Sequence, residues 1–276
     1  MKTDCSARHT FAVCAYGESP FLEDCLRSLL CQSVRSRILL STSTDNPHIR
    51  GLAEKYGLPL FISGRDPDIA GDWNRAYRCA ETPYVTLAHQ DDVYAPDYAG
   101  TAVRMLDDSR KPLLFFSDYY EIRDNEEVDS AFNLRVKRAL LMPMRVPAFR
   151  GKRFFKRAVL SLGNPVCCPS VTFAREHLPY VVFQGGMKSN LDWNAWANAA
   201  DMRGEFVYAP VRLMGHRIHT GSTTTALIKN QERTMEDMAV LRRFWPAPAA
   251  AVINRIYRNA ERSNRVRSES RSEEPS

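Results

Sequence analysis

A chain of 276 residues with 44% hydrophobic and 25% charged residues can bury roughly 70–75% of its surface, so it needs neither disulfide staples nor a structural metal to fold. No run reaches the ~18–20 apolar residues of a bilayer span, and the polar stretch Met1–Arg8 lacks the apolar segment of a secretory signal. Seven scattered cysteines without a CxxC pair argue against a disulfide framework or a zinc site and fit reduced thiols, so a cytoplasmic protein is expected.

Thr10–Ala15 (TFAVCA) reads as a buried strand, followed by a turn at Tyr16–Pro20. Phe21, Leu22, Cys25, Leu26, Leu29 and Leu30 recur at helical spacing. A strand over Arg37–Leu40 ends in the run Ser41–Thr44 and Asp45. A helix about Ile49–Tyr56 leads to a strand over Pro59–Ser63. Gly71-Asp72 then opens a helix with Asp72 as N-cap, and a strand over Tyr84–Ala88 runs into His89-Gln90-Asp91-Asp92. This β-α-β-α-β-α-β alternation predicts a parallel sheet with helices on both faces. Ligands of such sheets bind at the carboxyl ends of the strands. The polar clusters Tyr16–Ser19, Ser41–Asp45 and His89–Asp92 all fall on that edge.

Past Pro96 the pattern predicts a helix over Tyr98–Asp107, a strand over Leu113–Ser117 and a charged loop, Arg123–Asp129. A Cys167–Pro169 turn, a strand over Ser170–Phe173 and a helix over Leu191–Ala200 follow. Glu205–Tyr208 and Arg212–Gly215 read as extended, and a long helix covers Thr225–Phe244 until Pro246 and Pro248 break it. The last residues have almost no apolar content and are expected to be disordered. Two basic stretches, Met142–Arg157 and Arg255–Arg271, suit an anionic partner or form solvated faces.

Three groups carry chemistry. Asp91 and Asp92 follow a hydrophobic strand directly, and two adjacent carboxylates stay charged more easily beside a cation. They read as a metal–diphosphate site for Mg2+ or Mn2+, or as an N-cap pair. Asp192, near a helix start beside Trp193 and Trp196, reads as a proton acceptor whose pKa apolar rings raise, or as an ordinary N-terminal helix acid. His216 and His219 fall on opposite faces of an extended segment. They do not chelate one ion together there; one is a metal or phosphate contact and the other is structural.

The order of these motifs resembles the family 2 glycosyltransferases of the GT-A fold, and Asn164-Pro165-Val166-Cys167-Cys168-Pro169-Ser170 looks like a segment of its bacterial surface-polysaccharide members. Ala15-Tyr16-Gly17-Glu18 is similar to the family's first turn and Ser28-Leu29-Leu30-Cys31-Gln32 to the end of its first helix. Ser43-Thr44-Asp45 resembles the close of its second strand and Gly71-Asp72-Trp73-Asn74 the helix start beside the nucleotide. His89-Gln90-Asp91-Asp92 stands where the family has its Asp-x-Asp metal motif, Leu191-Asp192-Trp193 where it has its general base, and His216–Ser222 where it has an R-x-H-x-x-S segment.

The resemblance implies an α/β fold with a Rossmann-like mixed central sheet flanked by helices, and further helices at the C-terminus. A catalytic domain would span residues 1–245, with 8–95 as the nucleotide-sugar half and 96–245 as the acceptor half, followed by a basic helix and tail over 246–276. It implies inverting transfer of a hexose from a nucleotide-diphosphate sugar to an acceptor hydroxyl in surface polysaccharide or lipopolysaccharide synthesis. Tyr16, Glu18, Ser41, Asn74, His89 and Gln90 would line the donor. Asp91, Asp92 and His219 would serve Mn2+ or Mg2+, and Asp192 would be the base. The donor reads as a UDP- or dTDP-sugar: His89 replaces the first aspartate of the metal motif, and Leu40 and Ser41 replace the carboxylates that end the second strand and help hold the uracil of a UDP donor, which argues against a plain UDP-sugar and leaves a dTDP-sugar or another nucleotide. The acceptor reads as a saccharide or lipid-linked saccharide. The basic stretches, with Ile253, Ile256 and Tyr257 interleaved among arginines, imply peripheral contact at the inner face of a membrane. The rivals are a catalytically inactive nucleotide-sugar-binding protein of the same fold, a nucleotidyltransferase, which lacks its Gly-rich loop here, and a nucleic-acid-binding protein. No recognition module for nucleic acid is visible, so none is expected as a partner.

Overall fold

The computed structural model describes residues 3–64, 68–219 and 231–256. The central strand β2 (His9–Ala15) is buried on both faces: Phe11 and Val13 point into one core and Ala12 into the other. It is preceded by β1 (Thr3–Asp4), which pairs with β3 (Val34–Arg35) in a small separate sheet. The first half alternates as expected: α1 (Leu22–Leu30), β4 (Arg37–Thr42), α2 (Pro47–Tyr56), β5 (Leu60–Ile62), α3 (Ile69–Cys79) and β6 (Tyr84–His89). Asn46 caps α2 by accepting from Ile49 N at 2.9 Å, Pro47 supplies the preset first turn, and Gly57 ends the helix in the left-handed region at φ 61°. The cap of α3 is Asp68, which accepts from Gly71 N at 3.0 Å, and not Asp72. Ile69 and Ala70 already pack on the core, so the helix begins four residues earlier than an Asp72 cap indicates.

The second half contributes β7 (Val93–Tyr94), α4 (Tyr98–Asp107), β8 (Pro112–Arg123), β9 (Glu126–Val128) and α5 (Phe132–Leu141). A 3-10 turn, Met142–Arg145, leads to the short α6 (Pro147–Arg150) and α7 (Arg153–Leu160). Then come β10 (Val171–Ala174), α8 (Leu191–Asp201), β11 (Glu205–Ile218) and a helix over Gln231–Leu241. The sheet runs β5-β4-β2-β6-β10-β8-β11-β7, with β9 folded back on β8. β5, β4, β2 and β6 are parallel, whereas β10 is antiparallel to both of its neighbours and β7 to β11.

Several elements differ from their sequence pattern. The charged loop is a tight hairpin turn with Asp124 and Asn125 at φ 51° and 65°. Glu205–Tyr208 and Arg212–Gly215 are one strand with a register shift between Ala209 and Arg212, where Pro210 lacks an N–H for the ladder. The basic segment Met142–Arg157 is helical for most of its length. Of the long helix, Gln231–Leu241 is observed, and its earlier expected part, 225–230, lies outside the described residues. Residues 247–256 form a further helix with Pro248 in its first turn, where proline is tolerated. Ala250 and Asn254 of that helix are buried, so it packs onto the body of the fold. Among the described residues no helix is long and apolar enough to cross a membrane. The expected disordered tail lies outside the described residues.

Candidate active site

The three polar loops meet at the carboxyl edge of β2, β4 and β6. The Gln90 amide pairs with the Tyr16 backbone as a sheet rung would, accepting from Tyr16 N at 2.8 Å and donating to Tyr16 O at 2.9 Å. Gly17 sits at φ 59°, a conformation that costs glycine little. Its N–H donates to Thr44 Oγ1 at 2.6 Å and its carbonyl accepts from Asn46 Nδ2 at 3.0 Å. These bonds leave the Tyr16 and Glu18 side chains exposed at the rim.

The pairing of β7 with β11 brings the late histidine segment to the two aspartates. Met214 opposes Tyr94 and Gly215 opposes Val93, so the next antiparallel step sets His216 opposite Asp92. His216 Nδ1 lies 3.0 Å from Asp92 Oδ1, which also accepts from Arg217 N at 2.9 Å. Gly215 is required there, because a Cβ would fall 2.7 Å from the Tyr120 ring on β8. Arg217 is braced by Asp91 O at 3.0 Å and lies over the Phe21 ring at 4.4 Å. Asp92 is 1% exposed and holds this strand end in place. Asp91 is more open. Its Oδ1 accepts from Ser19 Oγ at 2.9 Å, and its Oδ2 lies 3.2 Å from His219 Nε2. The two histidines therefore do diverge, each to a different aspartate.

Asp91 Oδ2 and His219 Nε2 form a carboxylate–imidazole pair with the separation of adjacent ligands on an octahedral ion, about 3 Å for bonds of about 2.1 Å. Among the described residues no three His, Cys, Asp or Glu side chains form a metal cage. An ion at this pair would complete its shell from diphosphate oxygens and water, as Mg2+ commonly does. The donor set fits Mn2+ or Mg2+ in that sense, with Asp92 behind it.

On the donor side, His89 lies against Trp73 with ring centroids 4.9 Å apart and planes 31° apart. Burial depresses its pKa, so the imidazole is neutral, and its buried Nε2 has no hydrogen-bond partner in the structure. Ser41 is buried in β4 beside Cys14, and Ser43 Oγ donates to Asp72 Oδ2 at 2.6 Å. Asn74 is buried. Its nitrogen donates to Ala70 O and Phe183 O, and its oxygen accepts from Val182 N and Phe183 N, so it ties the segment before α8 to α3.

Asp192 stands in the first turn of α8. Its Oδ2 accepts from Asn164 Nδ2 at 2.7 Å and its Oδ1 from Trp193 N at 2.7 Å. Burial raises its pKa; the two hydrogen bonds and the Lys137 and Arg233 cations oppose that rise. The thiols of Cys167 and Cys168 are raised first by burial and further by the charges of Asp92 and Asp192. Glu236, on the helix Gln231–Leu241, accepts from Lys188 N, Ser189 N, Ser189 Oγ and Asn190 N just ahead of α8. Sequence motifs pointed to Asp91, Asp192 and His219 but not to Ser19, Arg217, Asn164 or Glu236. Ser19 and Arg217 lie inside motifs already recognised, whereas nothing local marks Glu236.

The fold has solved counterparts. TarS of S. aureus, residues 1–349 in complex with UDP-GlcNAc, superposes with a TM-score of 0.62 at 13% identity, over 90% of this chain and 70% of that one. The mannosyltransferase PcManGT from Pyrobaculum calidifontis, in complex with GDP-Man and Mn2+, gives 0.61 at 18% identity, over 90% and 69%. Glucosyl-3-phosphoglycerate synthase from Mycobacterium tuberculosis, with Mn2+ and UDP-Glc, gives 0.55 at 14% identity, over 87% and 79%. At these identities the likeness establishes the GT-A fold. No curated protein matches the chain in sequence. The model of the family "Glycosyl transferase family 2" matches residues 10–178, more than half of the chain, and the protein belongs to that family.

Proposed function

We propose that the protein transfers a hexose, with inversion, from a UDP- or dTDP-sugar to a hydroxyl of a saccharide or lipid-linked saccharide, in surface polysaccharide or lipopolysaccharide synthesis. The observation that carries this reading is the Asp91–His219 pair at the carboxyl edge of the sheet together with a second, buried carboxylate, Asp192, held by Asn164 and its own helix start in the later half of the chain. An in-line displacement needs its leaving group and its base on opposite sides of the reacting carbon. The structural relatives bind UDP-GlcNAc, GDP-Man and UDP-Glc, which supports a nucleotide-sugar donor.

The donor would lie over the loops at Tyr16–Ser19 and His89–Asp92, with Tyr16 and Glu18 at the rim, Ser41 beneath and the neutral His89 against Trp73. Gln90 would position the Tyr16 loop, and Asn74 the segment before α8, rather than touch the nucleotide, since their amides are occupied by protein partners. Asp91 and His219 would hold Mn2+ or Mg2+, which when bound neutralises charge on the departing diphosphate. Asp92 would support them by fixing the end of β11. Asp192 would take the acceptor hydroxyl proton as that oxygen bonds to the anomeric carbon. The bond from that carbon to the diphosphate oxygen breaks at the same time, and the nucleoside diphosphate leaves with the electron pair. Asn164 and Trp193 N would keep the carboxylate aimed.

A thermal-shift panel of UDP, dTDP, GDP, ADP and CDP, each with and without Mn2+, tests the donor site. The expected result is stabilisation by UDP or dTDP that EDTA removes, about 2.7 kcal/mol at a hundredfold excess over Kd. No shift with any nucleotide would overturn the reading. A shift without transfer or hydrolysis would leave an inactive sugar-nucleotide binder, the reading that His89 in the metal motif favours.

A further inference from the structure

Between Asp129 and Glu176 the chain has ten Lys and Arg residues and no Asp or Glu. Within this acid-free stretch α5 turns an apolar face outward. Phe132, Arg135, Val136 and Ala139 are all exposed, at the i, i+3, i+4 and i+7 spacing of a single helical stripe. The buried positions of the helix are Leu134 and Leu141 instead. Phe132 is 60% exposed, and Met142, one residue beyond the helix, is 59% exposed. Arg138, Arg153 and Arg157 are paired with aspartates, whereas Arg135 in the stripe and Arg145 beyond it are exposed. An apolar stripe beside such exposed cations is costly to leave facing water, and it matches the requirements of an interfacial helix. The helix 247–256 repeats the arrangement, with Val252, Arg255 and Ile256 exposed while Ala250 and Asn254 are buried.

We propose that the outer face of α5 docks on an anionic phospholipid surface, with Phe132, Val136 and Met142 entering the acyl boundary and Arg135 meeting the headgroups. The charge decides the occupant: two copies of a surface this basic repel each other, whereas an anionic leaflet attracts it. The inner face of the same helix carries Lys137, whose ammonium donates to Tyr119 Oη at 2.8 Å, and Arg138, which pairs with Asp118 and Asp129. Docking by the outer face would therefore hold the acceptor side of the site against the bilayer, where a lipid-linked saccharide is presented. That purpose rests on the proposed function. The binding itself needs neither donor nor metal, so its failure leaves nucleotide binding untouched.

Co-sedimentation of the full chain with vesicles of phosphatidylglycerol and phosphatidylcholine, against phosphatidylcholine alone, tests the proposal. The expected result is binding to the anionic vesicles only, weakened by salt. Binding should fall about tenfold or more in Arg135→Glu and about tenfold in the Phe132→Ser/Val136→Ser double variant. The altered positions are exposed, and an unchanged melting temperature in each variant verifies the fold. Absence of wild-type binding at low salt, binding that both variants retain, or a concentration-dependent dimer that the double variant abolishes would each overturn it.

Discussion

Glu236 accepts two hydrogen bonds from Ser189, from its backbone N–H at 2.8 Å and from its hydroxyl at 2.7 Å. With Lys188 N and Asn190 N also donating to it, one carboxylate satisfies the chain just ahead of α8 and steadies the helix that carries Asp192. Burial works to raise the Glu236 pKa, but these four bonds win and hold it below the ordinary value of 4.5. A lowered carboxyl stabilises the fold above its unfolded pKa, and the contribution is lost as pH falls through the folded pKa. Glu236→Ala should therefore cost about 1–3 kcal/mol at neutral pH in urea unfolding. The difference from wild type should shrink below about pH 4.5. An equal difference at pH 7 and pH 3 would show that the charge is not what matters.

Asp192→Asn removes the proton acceptor while keeping the shape and the Asn164 contact region. Turnover should fall about 10²–10⁴-fold, with the nucleotide-dependent thermal shift unchanged. In the wild type the acidic limb of the kcat/KM profile should lie above the ordinary aspartate range, because burial raises this carboxyl. Full turnover in the variant would remove Asp192 from the mechanism.

His219→Ala and Asp91→Asn should each weaken the Mn2+-dependent part of nucleotide stabilisation, while metal-free binding changes little. Loss of a ligand to a divalent ion also predicts that excess Mn2+ partly restores the shift in His219→Ala. Calorimetric titration of UDP with and without Mn2+ separates the two contributions. Equal metal dependence in wild type and both variants would place the ion elsewhere.

Lys156 is buried and donates to Met202 O at 2.6 Å and Gly204 O at 2.9 Å. Burial pushes its pKa down from 10.5 to about 8, against the pull of Asp201. A lysine lowered in this way costs stability at pH 8 and below, and the cost fades as pH rises from about 8 to 10.5. Against Lys156→Met, the wild type should gain on the order of 2–3 kcal/mol across that window, from 1.36 kcal/mol per pH unit. A flat difference between pH 7.5 and 10.5 would show that the ammonium is not desolvated.

The first half of the fold was legible because β2, β4 and β6 are apolar runs at regular spacing, each followed by a polar loop at the carboxyl edge of the sheet. The second half was less so. The end of β8 (Ser117-Asp118-Tyr119-Tyr120-Glu121) mixes charges and aromatics, because its polar groups are paired with neighbouring elements, and it does not alternate as a half-buried strand would. β11 is interrupted to the eye by Pro210-Val211-Arg212, which are exposed at its register shift. The helices of the basic stretch escape a hydrophobic count because few of their residues, such as Val159 and Leu160, face the core. Asp91 and Asp192 were readable from their positions after a strand and at a helix start. The groups that position them were not: Glu236 acts on residues 46–48 positions away, and no local pattern encodes such a contact.

The reversed strand β10 brings two loops of the second half to the neighbourhood of Asp192. Because it runs against β6 and β8, its entry rather than its exit opens on the rim where those two strands end, and there the chain makes the Cys167–Pro169 turn. The chain must return to that rim to reach Asn74 through Val182 and Phe183 and then begin α8. A strand of four residues is thus bracketed by two loops. Insertions before it would alter the turn that follows Asn164, the partner of Asp192, and insertions after it the segment that Asn74 ties to α3 ahead of α8. Relatives that keep the same donor could in this way change acceptor by varying loop length on either flank of one short strand, with the remainder of the sheet untouched.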